Sequence, residues 1–240
     1  MRTIEAKEIT ALVRELCMKA NYVLPESIRQ SYVDGEKNEQ SPLGKTIFGK
    51  MIENCDIACK NSVPICQDCG MAIVFVEVGQ DVHITGGLLE DAVNEGVRHV
   101  TVEPKGFGSE NMSALKMFTP AAKPEDIIDF VVEACDKAGS NPCPPIVIGV
   151  GLGGTADKAC YLAKRALMRP VGQFNENPGY AEMEKKIIER VNALGIGPQG
   201  LGGTVTALMC AIDTYPTHIA GLPCAVNIGC HVTRHAEGKI

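Results

Sequence analysis

The chain has no tryptophan, and its 240 residues hold only five tyrosines and six phenylalanines. Single-stranded nucleic acid is bound on stacked aromatic platforms, so that class of partner has little to rest on. Positive charge is also short, because 23 Lys and Arg face 29 Asp and Glu and leave a formal net charge of −6. Nucleic acid and anionic membranes call for a basic face. A small anionic substrate needs only a few local cations and stays open. The longest apolar run, 146–152, is far shorter than the roughly 20 residues that span a bilayer. The first 19 residues read as an amphipathic helix, with Ile4, Ile9, Leu12, Val13, Leu16 and Cys17 along one side, and not as a secretion signal. The expected location is the cytoplasm.

What the chain has in excess is cysteine, with eleven residues. The number is odd, and a chain of this length does not need disulfide staples. Most of these cysteines are expected to be small core residues, with a few left as metal or cluster ligands.

Residues 1–60 read as helical, with a helix over 42–62 that Pro64 ends. A strand is expected over 71–78, a helix over 88–98, a strand over 100–103 and a helix over 123–138. A strand over 146–150 and helices over 156–168 and 181–194 follow. Strands alternating with helices predict an α/β fold, with a central mostly parallel or mixed sheet, surrounding helices and a helical N-terminal part. No flexible linker divides the chain, so one domain over 1–240 is expected. Gly-Leu-Gly-Gly-Thr occurs at 151–155 and again at 200–204, each time ahead of an apolar stretch that reads as helix.

Gly149-x-Gly151-x-x-Gly154 follows a strand and opens a helix, as in dinucleotide-binding proteins, and Gly195-x-Gly197-x-x-Gly200 repeats the spacing. The acidic residue expected about 20 positions later is missing, since Lys164, Arg165 and Arg169 occupy that stretch. Tight packing of a helix on a sheet is the preferred reading, binding of a small carboxylate comes next, and a nucleotide-dependent oxidoreductase is the weakest. A third glycine loop, Lys105-Gly106-Phe107-Gly108-Ser109-Glu110-Asn111, reads either as a helix cap or as a backbone cradle for a carboxylate with Lys105 adding charge.

Three cysteines share a loop setting. Cys66 opens Cys66-Gln67-Asp68-Cys69-Gly70, Cys143 is framed by prolines in Asn141-Pro142-Cys143-Pro144-Pro145, and Cys230 ends an apolar run ahead of Arg234 and His235. Cys17, Cys55, Cys59, Cys135, Cys160 and Cys210 fall inside helical patterns and read as core, while Cys69 and Cys224 stay undecided. Zinc held with Cys230 and His235 is a weaker reading, because no second compact pair exists. Three well-separated cysteines suit a [4Fe–4S] cluster with one iron open to substrate. By spacing alone a structural role, as a metal-stabilised scaffold, ranks level with it.

Five stretches together carry a resemblance: Pro64-Ile-Cys-Gln-Asp, Lys105-Gly-Phe-Gly-Ser-Glu-Asn, Cys143-Pro-Pro, Gly151-Leu-Gly-Gly-Thr-Ala-Asp-Lys, and His218 through Cys230. The chain resembles the alpha subunit of class I, iron–sulfur-dependent fumarate hydratase and the related L-tartrate dehydratase alpha subunit. The resemblance implies that Cys66, Cys143 and Cys230 ligate a [4Fe–4S] cluster. It implies that Gln67 and Asp68 touch substrate beside the first ligand, that His218 binds substrate, and that the Gly106–Gly108 loop holds a carboxylate by its backbone beside Lys105. Asp68 and His218 take the catalytic roles of orienting the dicarboxylate or polarising its carboxylate. It further implies a beta subunit that carries the catalytic base, with reversible hydration of fumarate to malate as the first-choice reaction and tartrate dehydration as the second. Residue by residue, Asp68 also reads as a turn cap and His218 as an ordinary loop histidine.

One junction departs from that pattern. The helix expected to end at Arg98 runs into the strand from 100 with only His99 between them, where connections usually take roughly 4–6 residues. The related family carries several tens of residues here, with a substrate-contacting arginine. The expectation is either a short form or a natural stretch that this sequence leaves out, the latter preferred.

Overall fold

The computed structural model describes residues 2–67, 72–98 and 105–240. These fall into two compact units: Met1–Pro25, Cys55–Gly106 and Arg234–Ile240 form the first, and Glu26–Asn54 with Phe107–Thr233 form the second.

In the first unit, β1 (Arg2–Glu5) pairs in parallel with β2 (Val82–Thr85), so the chain opens with a short strand ahead of the expected helix. Helix α1 (Ala6–Tyr22) starts where the Glu5 amide donates to the Glu8 carboxylate at 3.1 Å. It packs on α4 (Leu89–Arg98) through Ala6, Ile9 and Ala92. Gly96 lies inside α4, and a Cβ there would stand 2.8 Å from the Thr10 carbonyl oxygen. Its lack of a side chain lets the two helices approach. Residues 72–79, most of the strand expected over 71–78, join no ladder, and the strand expected over 100–103 lies outside the described residues.

In the second unit, α2 (Glu26–Asn38) and the start of α3 (Pro42–Asn61) pack through Tyr32 and Phe48, whose ring centroids are 6.3 Å apart. A four-stranded mixed sheet follows, built from β3 (Ala114–Phe118), β4 (Ile146–Gly153), β5 (Ala207–Tyr215) and β6 (Leu222–Gly229) in the order β3-β6-β4-β5. β4 and β5 run parallel, and β6 runs antiparallel to β4 and β3. β4 is buried along its whole length, as its unbroken apolar sequence requires. One face of the sheet carries α6 (Pro124–Ala138) and α8 (Pro178–Asn192), with Val131, Ile148, Val150, Ile187, Ile212 and Val226 in the main core. The other face receives α7 (Ala156–Ala166) through Ala159, Ala163 and Ala225. The α/β expectation holds.

Gly149 and Gly151 lie within β4 and face α7, where added Cβ atoms would stand 2.0 Å and 1.9 Å from the carbonyl oxygens of Ala163 and Ala159. Gly149 and Gly151 are thus the contact surface of a helix pressed on a strand, as the packing reading of that loop expects. The second Gly-Leu-Gly-Gly-Thr precedes a strand, β5, and not the expected helix. Ala207, Leu208 and Met209 favour helix locally, but pairing along β4 overrides that preference.

Candidate active site

Helix α6 closes at Gly139, in a left-handed conformation, and the chain crosses Ser140–Pro145 before entering β4. Cys143 is itself left-handed at φ 53°, with its amide donating to the Ser140 carbonyl oxygen at 3.0 Å and its side chain exposed. Because β6 runs antiparallel to β4 and sets Gly229 opposite Val147, Cys230 emerges at the end of the sheet where Cys143 enters. The His231 amide donates to the Cys143 carbonyl oxygen at 3.2 Å, and the ring Nδ1 lies 3.1 Å from the same oxygen. The Thr233 hydroxyl donates to the Cys230 carbonyl oxygen at 2.7 Å. The loops of two predicted ligands are therefore joined at one end of the two central strands. Gly108, in the short helix α5 (Phe107–Glu110), lies against the same loop, with a would-be Cβ 3.2 Å from the Asn141 carbonyl oxygen.

Cys66 and Gln67 belong to the first unit. Cys66 is half-buried, with Sγ 3.9 Å from the exposed Gln67 Oε1, and it follows Ile65, whose amide donates to the Asn21 carbonyl oxygen at 3.1 Å. Lys105 and Gly106 are buried at the end of that unit. Asp68 and Cys69 lie outside the described residues. Among the described residues, no three of His, Cys, Asp and Glu stand together as a ready-made metal site.

His218 sits elsewhere. It occupies the loop between β5 and β6, at the opposite end of the sheet from Cys143 and Cys230. At about 3.3 Å per residue along β4 the separation is roughly 20 Å. Its exposed ring accepts a hydrogen bond at Nδ1 from the Ala220 amide at 3.1 Å, which fixes the neutral ring as the Nε2–H tautomer.

The remaining cysteines divide by burial. Cys135 and Cys224 are pushed up to about 12 by burial, and burial raises Cys210 well above its usual range. Such groups stay thiols and make poor ligands. Cys59 and Cys160, expected in the core, are exposed on their helices. None of the described cysteines forms a disulfide.

Sequence reasoning overlooked two side chains behind the Cys143 loop. Gln199, in a 3-10 turn over Pro198–Gly200, donates its amide to the Pro144 carbonyl oxygen at 2.7 Å and its Nε2 to the same oxygen at 3.0 Å. Tyr32 donates its hydroxyl to the His231 carbonyl oxygen. The one local sign was a glutamine set among Gly197, Gly200, Gly202 and Gly203.

A model of the fumarate hydratase (Fumerase) family matches residues 10–104 and 99–239. The chain belongs to the fumarate hydratase family. Among its relatives is a protein of Methanocaldococcus jannaschii, provisionally named L(+)-tartrate dehydratase subunit alpha, 36% identical over 97% of this chain and 98% of its own. The L(+)-tartrate dehydratase subunit alpha of Escherichia coli strain K12 is 29% identical over 95% of this chain and 89% of its own. That of strain UTI89 is 28% identical over 97% and 91%. This fumarate hydratase family match takes in the Cys66, Cys143 and Cys230 stretches, and it breaks into two segments that meet at 99–104.

Proposed function

We propose that this chain is the alpha subunit of a [4Fe–4S]-dependent hydro-lyase that hydrates fumarate reversibly to malate, with Cys66, Cys143 and Cys230 as the cluster ligands. The observation that carries the reading is the bond from His231 to Cys143, which sets two cysteine loops together at one end of the sheet in a member of this family. The settings of two of the three cysteines support the reading. Cys143 is exposed on a loop pinned on both sides, and Cys230 is half-buried beside it, whereas the deeply buried cysteines are held as thiols. When bound, such a cluster supplies a Lewis-acidic iron that eases departure of the substrate hydroxyl.

The protein's own groups bind and orient. Backbone amides at Gly106 and Gly108 suit a substrate carboxylate, with Lys105 supplying charge and Gln67 a polar contact. Asp68, next along the chain, would orient the substrate. His218 lies far along the sheet from the Cys143 end, so its Nε2–H serves a carboxylate only in a site that another chain completes. The base that removes the C3 proton is assigned to a beta subunit, in keeping with the alpha-subunit names of the relatives. Those names also favour a second reading, dehydration of L-tartrate. No described helix is long and apolar enough to cross a membrane, and a cytoplasmic location is part of this proposal.

We also read the chain as short of a family segment after Arg98. The split family match supports this, as does an alignment of 278 positions to which this chain, covered over 97% of its 240 residues, brings about 233. Residues 99–104, where that junction lies, are outside the described residues. The single alpha-subunit domain over 1–240 is kept as the functional unit, since the match covers both compact units.

The test is anaerobic reconstitution of the chain with its partner, followed by iron and sulfide assay. Alanine at Cys66, Cys143 or Cys230 should each remove the visible absorbance of the cluster, and a full complement of iron in any of them would refute that ligand.

A further inference from the structure

We infer that Gln199 is a positioning residue for Cys143, acting through the carbonyl of Pro144. This rests on the ligand role given to Cys143 above and extends it to a residue that touches no substrate.

Two features single out Gln199. Its backbone is left-handed, at φ 55° and ψ 18°, in a run where glycine is used freely for that purpose. Glycine at 199 would relieve the backbone, so the side chain is kept for its contacts. Those contacts converge on the residue after Cys143: amide and Nε2 both donate to the Pro144 carbonyl oxygen, at 2.7 and 3.0 Å. Nε2 also lies 3.3 Å from His231 Nδ1, the ring that abuts the Cys143 carbonyl.

The support behind Gln199 is rigid. The adjoining turn is clasped by the buried Glu39 carboxylate, which accepts from the amides of Thr204 and Val205 at 2.8–3.0 Å. Gly200 lies against Ser140, where a Cβ would come within 2.2 Å of the Ser140 Cβ. Ser140 in turn accepts from the Cys143 amide. The main chain on both sides of the Cys143 thiol is thus held from the 195–205 turn, and Gln199 is the only side chain described as donating to Pro144. A cysteine in a mobile loop would pay the ordering entropy on each binding of metal, and a fixed one does not.

The experiment uses two variants of the full chain. Gln199→Gly removes the side chain, keeps the amide bond to Pro144 and relaxes the backbone. Gln199→Glu keeps the shape and turns a donor toward Pro144 into an acceptor. Alkylation by iodoacetamide is followed at each cysteine by peptide mass spectrometry, and iron release to a chelator is followed in the anaerobically reconstituted complex. Cys143 should alkylate roughly three-fold faster or more in both variants, while Cys135, Cys210 and Cys224 stay protected. Iron should leave roughly ten-fold faster. An unchanged Cys143 rate in both variants, or a rise shared by the three buried cysteines, would overturn the inference. If the wild-type complex takes up no iron while the Cys143 rate still shifts, the iron–sulfur reading fails and the positioning role of Gln199 stands.

Discussion

The amide of His231 donates to the carbonyl oxygen of Cys143, and so ties two loops that lie 88 positions apart in sequence. The bond exists because β6 returns antiparallel along β4 and delivers its C-terminal end to the start of β4. If the two loops share one cluster, Cys143→Ala and Cys230→Ala should each lose the same absorbance band. Cys160→Ala, exposed on α7, should keep it. Equal loss in all three variants would argue against a local site.

Glu39 couples the stability of the second unit to pH. Burial drives its carboxyl up, but the amides of Ser41, Thr204, Val205 and Gln40 outweigh burial and hold it below the ordinary 4.5. A depressed folded value means that the stabilisation is complete above the unfolded value near 4.5 and is lost as pH falls through the lower folded one. Urea unfolding between pH 7 and 3 should therefore show a smaller loss toward acid for Glu39→Gln than for the wild type. Glu39→Ala, which strands buried amide donors, should cost about 3 kcal/mol at pH 7. Parallel acid slopes in wild type and Glu39→Gln would contradict this.

Gly151→Ala should destabilise the chain by about 3 kcal/mol, because a backbone carbonyl 1.9 Å away has nowhere to move without lifting α7 off the sheet. Gly221→Ala meets nothing within 4 Å and should stay within about 0.5 kcal/mol. Thermal unfolding measures both. An NAD-dependent rise in melting temperature of the wild type would reopen the nucleotide reading that this packing displaces.

Much of this was legible in the sequence. The unbroken apolar run of β4, the helix over Pro124–Ala138 after Lys123, and the proline frame of Cys143 all carry their signals within a few residues. β5 was not, because its Ala-Leu-Met start reads as helix until pairing with β4 is known. β3 escaped notice as a five-residue edge strand with only weak alternation. The His218 motif could be read, but its distance from the cysteine end depends on strand direction, which no local pattern encodes. Gln199 acts through a contact 55 positions away, so its role appears only in three dimensions.

A buried ion pair gives a contrasting test. Arg169 binds Glu184 at 2.6 Å and Asp213 at 2.8 Å, with the Glu184 side chain fully buried. Arg169→Ala should cost about 3 kcal/mol, since it leaves that carboxylate uncompensated. Lys186→Ala breaks only an exposed pair with Glu125 and should cost less than about 1 kcal/mol. Similar losses in the two variants would show that burial does not set the strength of these pairs.

Intact mass resolves the junction after Arg98. A native-source protein of 25.6 kDa is a short form of the family, and one heavier by several kilodaltons, with a peptide that runs on from Arg98 into new sequence, carries a further segment there. The preferred outcome is the heavier mass.

The most direct measurement is hydro-lyase turnover by the complex of this chain with the proposed beta subunit, assembled anaerobically with iron and sulfide. Fumarate or L-tartrate should turn over in the complex, with little or no turnover by the cluster-loaded chain alone and none after iron is stripped. Robust turnover by the single chain would contradict the shared active site, and turnover that survives complete loss of iron would contradict the cluster.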